Sequence, residues 1–452
     1  MTTAVQPLGA LAAQAWADLG GSAADLDLVR TTPAPLPSRL RVGPLCLDAV
    51  GVASLAAQLC AADRSGRPAR PLQVDGVVVA ASAGSERVFR LDGAAPAAFA
   101  PLSGFWPTAD GWVRTHGNYP HHAARLRSLL GLADTAGPDQ LRAALAGRRA
   151  HEVEEAAAGV GALVVAVRTP EQWAAHPQQH AVAELPLISH DVLAQAPARP
   201  WAPHATAPLD GVRVLDLTRV IAGPVAGRDL ALMGAQVLRV DPPAPAEIAW
   251  QHLDTGQDKH SAVVDLHRDP EVLAELLDDA DVVLTGYRPG SLDRFGLSPE
   301  ALARRYPGIV VGRVSAWGTV GPWAQRRGFD SLVQAVCGIA VTESPDGVVP
   351  GALPVQALDH ASGHLLAAGV ATALRERART GGSRAVSVAL ARTALALQQL
   401  GPGTPSSAVP DDLPSVGAGR IRCAPPVLAH EGAPRDYARL GSPWGADPPR
   451  WW

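Results

Sequence analysis

The chain has 452 residues, enough for two or three units that each bury a core. Hydrophobic residues make up 47% and charged residues 18%, and 39 basic against 43 acidic side chains give a formal charge of −4. With no basic stripe this excludes the phosphate-backbone binding a nucleic-acid partner needs, and no uninterrupted apolar run reaches the roughly 18 residues of a membrane span.

The opening, MTTAVQPLGALAAQAW, lacks the basic n-region and small-residue cleavage pattern of a secretory signal. A soluble, cytoplasmic protein with no membrane partner is expected, and Cys46, Cys60, Cys337 and Cys423 read as reduced thiols in no metal-ligand spacing. Of the 39 bases only Lys259 is a lysine, a coding bias that makes this one position conspicuous.

Residues 1 to about 43 combine Ala-rich helix with TTPAPLPSRL, where each proline removes a backbone donor, so an irregular lead-in is expected. SGFWPTADGWV (103–113) reads as a hairpin turning at T-A-D-G. RLRSLLGL, DQLRAALAGRRAHEVEEAAA and TPEQWAAH have helical spacing, with ALVVAV a strand between the last two. The proline-rich AQAPARPWAPHATAP (194–208) reads as a linker.

Beyond the linker the pattern changes. VRVLDL, QVLRV, SAVVDL, DVVL and GIVVGRV alternate with the helical AGRDLALMG, PEVLAELLDDA and SPEALARRY. Short β-branched strands alternating with helices predict an α/β domain: an open parallel sheet covered on both faces. One repeat stands out: residues 44–74 parallel 354–388, with Asp48 answering Asp359 and Arg64 answering Arg375.

Candidate chemistry follows from place. After the strand ending at Leu217, a turn with Gly223 and Pro224 leads into a helix whose free N–H groups suit phosphate; no G-x-G-x-x-G accompanies it. Arg288 and Arg294 lie in a loop after a strand, where ligands of open sheets bind, and Lys259 and His260 just before one. Asp359 precedes a long apolar helix and reads as an N-cap, a role that keeps a carboxylate ionised and is compatible with nucleophilic attack on an acyl carbon. Asp48 reads as a vestigial cap. His116, His121 and His122 read as a polar loop, and no G-x-S-x-G elbow appears.

The runs PLDGVRVLDLTRVIAGPVAGRDLALMGAQVLRVDPP, DKHSAVVDL, DVVLTGYRPGSLDRFGLSPEALARRYPGIVVGRVSAWGTVGPWAQRRGFDSLVQAVCG and PVQALDHASGHLLAAGVATALRERARTGGSRAVSVAL, over roughly 208–400, resemble the class III CoA-transferases of the CaiB/BaiF type. This group includes formyl-CoA transferase and α-methylacyl-CoA racemase.

The resemblance implies a Rossmann-like large domain and a smaller α+β domain. In this order the chain reads as a trimmed tandem fusion: a large-domain remnant (1–100), the small domain (101–193), the linker (194–208), the CoA-binding large domain (209–400) and a tail (401–452). It implies a CoA-transferase moving CoA from an acyl-CoA donor to a carboxylic acid acceptor. Asp359 would be the nucleophile, passing through a mixed anhydride and an aspartyl-CoA thioester, with amides at the start of its helix as oxyanion donors. Val220, Ile221, Arg239, Lys259, Arg288 and Arg294 would border CoA, a substrate rather than a resident cofactor; no metal is implied, and an interlocked homodimer is.

Three departures matter. Gly328, Phe329 and Asp330 stand where racemases have G-H-D, removing a proton-shuttling base; Gly286 replaces a frequent asparagine; and the glycine-rich loop covering the nucleophile is missing. A non-catalytic acyl-CoA-binding homologue and an acyl-CoA racemase or isomerase are the alternatives.

Overall fold

Seven strands form one sheet in the order Lys259–Val263, Gln236–Asp241, Arg213–Leu217, Val282–Thr285, Val310–Ser315, Ser383–Ala389, Ser189–Ala194 in the computed structural model, which describes residues 5–201, 206–404 and 409–452. The first six run parallel and Ser189–Ala194 closes one edge antiparallel. The parallel strands are runs of Val and Leu because helices cover both faces; Val282–Thr285 is buried at every residue. The expected α/β class and open parallel sheet are what the structure shows.

Two expectations shift. The strand Lys259–Val263 begins earlier than SAVVDL implied, making Lys259 a strand residue. The boundary expected at 193/194 falls within Ser189–Ala194, so the end of the small-domain segment is part of the large sheet. Of the expected linker, residues 202–205 lie outside the described residues.

The segment 104–166 holds the expected hairpin, Gly104–Pro107 against Trp112–Thr115, closed by the Thr108 amide on the Gly111 carbonyl at 2.9 Å. Val164–Ala166 adds a third strand. Helices Pro120–Leu130, Pro138–Ala146 and Ala150–Val160 cover it, burying a separate core around Trp106, Leu126, Leu141 and Val153. DQLRAALAGRRAHEVEEAAA is two helices rather than one, broken after Ala146 at Gly147.

At the centre of the molecule two 24-residue helices, Val42–Ser65 and Ala357–Thr380, pack together. They are the halves of the sequence repeat, and they meet at corresponding positions: the Cys60 thiol lies 3.5 Å from the carbonyl oxygen of Ala371, its counterpart in the repeat register, and Arg375 pairs with Asp63 at 2.5 Å. Contact between equivalent residues is the mark of a two-fold interface. Val42–Ser65 is, among the described residues, the helix long and apolar enough to cross a membrane, and it is spent on this internal core. The tail returns over the molecule; Ala429 and Glu431 donate backbone hydrogen bonds to Ser54 and Gln58 of that helix, and Trp452 stacks on His260 at 3.6 Å.

Candidate active site

The strand order reverses between Arg213–Leu217 and Val282–Thr285, whose carboxyl ends diverge into loops. Such a switch point opens a crevice. A cavity of about 880 Å³ lies there, walled by the loops after the strands, by Tyr119, His121 and His122 of the small unit, and at its inner end by Asp359. Arg288 and Arg294, both expected at the ligand, line it, and so do Arg219, Arg268, Arg326 and Arg327. Six arginines line this one cavity, and guanidinium groups suit phosphate oxygens. Ala222 and Gly223, which open the helix Ala222–Leu232, also line it, as the phosphate reading of that turn requires.

Val220 lines the same cavity and holds an unusual backbone. Its φ is +72°, a left-handed conformation that costs a β-branched residue of the order of 1–3 kcal/mol. The Val220 amide donates to Glu247 Oε2 at 3.0 Å, which fixes the turn. Ile221 follows as the residue before the helix and borders a second, smaller chamber of about 50 Å³. Val220, Phe329 and Asp359 border both spaces, so Asp359 stands between a large cationic cavity and a small chamber.

Arg239 and Lys259 are not brought into the cavity. Arg239 is 1% exposed and locked by two hydrogen bonds to Asp241 (2.8 and 3.2 Å) and one to Glu247 at 3.2 Å. Against the penalty of burial, Arg239 and Arg219 together hold the Glu247 carboxyl down at about 2. Lys259, also 1% exposed, donates to Asp216 Oδ2 at 3.0 Å and to the Pro224 carbonyl at 2.6 Å. Burial lowers its pKa to about 8, partly opposed by Asp216. The helix Ala222–Leu232 crosses directly above this pair: a Cβ on Gly227 would lie 2.5 Å from Asp216 Oδ2 and 2.8 Å from Lys259 Nζ. The lysine joins the sheet to the helix rather than reaching a ligand.

Asp359 does not cap its own helix. Gln356 is the N-cap, without a side-chain cap, and Asp359 sits in the first turn, 7% exposed. The cap is Asp330, the first residue of the helix Asp330–Val336, whose Oδ2 accepts from the Leu358 amide at 2.9 Å and the Asp359 amide at 3.0 Å. These are the amides expected to serve as oxyanion donors, and Asp330 occupies them. Asp330 is itself held by Gln334, which donates to Oδ1.

The two carboxyls perturb one another. Burial raises Asp330 to about 6, moderated by the hydrogen bonds from Asp359, Gln334 and Leu358. Burial and the neighbouring Asp330 charge push Asp359 well above its ordinary value. The expectation of a nucleophile kept ionised by a helix terminus therefore gives way to one that holds its proton more tightly than a free aspartate.

The helix carrying Asp359 is pinned close to Ala222–Leu232. Gly363, one turn on, allows this: a Cβ there would meet the Ala222 carbonyl oxygen at 2.5 Å. His364 Nδ1 and Asp229 Oδ2, both buried, bridge the two helices at 2.6 Å.

The related Asp48 has a different task. It lies in the second turn of Val42–Ser65, 3% exposed, and accepts from the amides of Gly9 (2.7 Å) and Ala12 (3.1 Å), capping the helix Ala10–Asp18. It is a cap, as expected, though of another helix.

The histidines are not a solvated loop. His116 is 5% exposed and stacks on Phe329 at 3.9 Å and 10°, and His122 meets that ring edge-on at 5.8 Å. Burial first, then neighbouring cations and rings, lowers both to about 3, so they are neutral imidazoles. Tyr119 donates to Glu247, tying the small unit to the Val220 turn. Among the described residues, no three or more His, Cys, Asp or Glu side chains are grouped to hold a metal ion.

The sequence reading had no signal for Glu247, Tyr119 or Arg219 at the site. Asp330 was visible only as the end of Gly-Phe-Asp, and its proximity to Asp359 arises from folding across 29 residues of chain.

Parts of the chain are similar to known proteins. The family model described as "CoA-transferase family III" matches residues 209–425. "Probable fatty acyl-CoA transferase Rv3272" of Mycobacterium tuberculosis is 38% identical over 207 residues, 42% of this chain and 52% of that protein. "Succinyl-CoA--D-citramalate CoA-transferase" of Chloroflexus aurantiacus is 35% identical over 208 residues, 42% and 51% of the two chains. The crystal structure of Rv3272, described as a hypothetical protein from Mycobacterium tuberculosis, aligns with 38% identity over 43% of this chain and 58% of that one, at a TM-score of 0.40. The chain thus spans about half the length of the curated relatives it matches. Residues 209–425, which carry Asp359 and most of the lining of the switch-point cavity, are similar to CoA-transferase family III.

Proposed function

We propose that the chain transfers CoA from an acyl-CoA to a carboxylic acid, with Asp359 as nucleophile. The observation that carries this reading is the position of Asp359 between the arginine-lined cavity and the small chamber. The cavity suits the phosphates and arm of CoA, and the chamber suits an acyl group, so that a thioester carbon lies at the carboxylate.

In this reading ionised Asp359 attacks the thioester carbonyl, forming a mixed anhydride and expelling CoA thiolate. The thiolate then attacks the aspartyl carbonyl, releasing the donor acid and leaving an aspartyl-CoA thioester. The acceptor carboxylate attacks that thioester, giving a second anhydride and free thiolate. Attack of the thiolate on the acceptor acyl carbon forms the new acyl-CoA and returns Asp359. Each step exchanges one acyl bond for another, so no oxidant or metal is required. Because Asp330 occupies the Leu358 and Asp359 amides, oxyanion stabilisation falls to other donors along the shared wall.

The test is intact-mass spectrometry after incubation with acyl-CoAs, with the adduct mapped to the peptide containing Asp359; no adduct and no new acyl-CoA from any donor and acid pair defeats the reading. Arg288→Ala and Arg294→Ala are each expected to raise KM for acyl-CoA about tenfold, the effect of losing one charge-assisted phosphate contact, with a smaller change in kcat. Asp330→Asn keeps an oxygen for the cap and removes the charge that opposes Asp359 ionisation. The acid limb of kcat/KM against pH is therefore expected to move to lower pH, and an unmoved limb shows that burial alone sets it.

An interlocked homodimer and a cytoplasmic location belong to the same reading. Sedimentation velocity measures whether two copies associate.

A further inference from the structure

Resting on the transferase reading, the chamber beyond Asp359 says which acids are carried. Its volume is about 50 Å³, and a water-sized group needs roughly 10–15 Å³ of such space, so it admits about three to five non-hydrogen atoms. Long acyl chains do not fit.

Its lining is polar in a particular way. Gln251 Oε1, Asp254 Oδ1 and Ser331 Oγ are buried, in residues 6%, 2% and 7% exposed, and none has a hydrogen-bond partner among the described residues. Buried polar groups without partners are rare and costly in folded proteins, and a ligand that supplies the missing bonds recovers that cost. An acceptor, a carboxyl oxygen and a hydroxyl together match a small group that both donates and accepts, as a hydroxyl does.

Charge narrows the choice. Glu86, Asp254, Asp330 and Asp359 all line the chamber, and none of its lining residues is Lys or Arg. Burial raises the pKa of all four, Glu86 to about 7, and outweighs the opposing pull of Arg87, Arg228 and Arg114 on Glu86, Asp254 and Asp330. A second carboxylate on the substrate would meet four carboxyls of like charge, with the cations Arg87, Arg114 and Arg228 outside the lining.

We propose that this chamber selects two- and three-carbon monocarboxylic acids bearing a hydroxyl group and rejects dicarboxylic and long-chain acids. The test gives the full chain acetyl-CoA as donor and glycolate, lactate, propionate, succinate or octanoate as acceptor, with each acyl-CoA product quantified by chromatography. Glycolate and lactate are expected to exceed propionate at least about tenfold in kcat/KM, since a site built for a hydroxyl penalises its absence, and succinate and octanoate at least about 100-fold. Ser331→Ala, with the fold checked by its unfolding midpoint, is expected to cut the glycolate-to-propionate ratio severalfold.

Succinate or octanoate transferred as fast as glycolate overturns the proposal while leaving CoA transfer intact. Equal rates for glycolate and propionate overturn it as well, as does a Ser331→Ala ratio equal to that of the unmodified chain. Absence of every acyl-CoA product, together with absence of an adduct on Asp359, removes the transferase reading and this inference with it.

Discussion

Asp359→Asn is expected to lower CoA transfer by at least about 10³-fold, the scale on which covalent nucleophiles fail when removed, and at the same time to raise the unfolding midpoint at pH 8. The two effects share a cause. Burial and Asp330 hold the Asp359 pKa well above that of an unfolded aspartate. As pH rises past the unfolded value of about 3.9, the unfolded chain releases this proton while the folded chain keeps it, so folding stability falls with pH until the raised value is passed. An amide in place of the carboxyl removes that loss. The gain in midpoint should shrink toward zero as pH falls below about 3, where both states hold the proton. Calorimetry at pH 8 and below about pH 3 together with the adduct assay decides the matter. Retained transfer defeats the nucleophile, a lowered midpoint at pH 8 defeats the electrostatics, and intact acyl-CoA binding by an unmodified chain that never forms an adduct identifies a binding protein.

Lys259→Met is expected to destabilise the fold by about 3–5 kcal/mol, the effect of stripping one partner from a buried ion pair. Asp216, fully buried, would keep only Thr218, whose amide donates at 2.9 Å and whose hydroxyl donates at 2.5 Å. KM for acyl-CoA in the folded variant should match that of the unmodified chain, because Lys259 does not reach the cavity. A phosphate-binding lysine predicts the reverse: raised KM and an unmoved denaturation midpoint. Replacing both members, Asp216→Leu with Lys259→Met, should recover much of the loss, since an apolar pair leaves no stranded charge.

Lys259 also shows what a sequence conceals. The strands were readable because burial on two faces demands unbroken runs such as VVLT and GIVVGRV, and a run is a local property. Arg288 and Arg294 were readable because a loop after a parallel strand is placed by topology. A lysine at the start of a strand carries no such mark. Its partner Asp216 is 43 residues away, and the helix that seals the pair approaches only because position 227 is glycine. Asp359, read from the sequence as an N-cap and candidate nucleophile, lines the cavity but does not cap: a carboxylate in a first helical turn looks like a capping group, and the group that does cap comes from another helix. The histidines failed for a similar reason. THGNYPHH is polar as a string and is buried by Phe329, more than 200 residues later.

The paired central helices bear on valency. Two segments of common pattern face each other across a two-fold-like contact, but their aspartates have parted ways, one immobilised on the amides of Gly9 and Ala12 and the other left beside open space. The repeat thus gives Ala357–Thr380 a counterpart surface to pack on while leaving one of the two matching aspartates, Asp359, at the cavity.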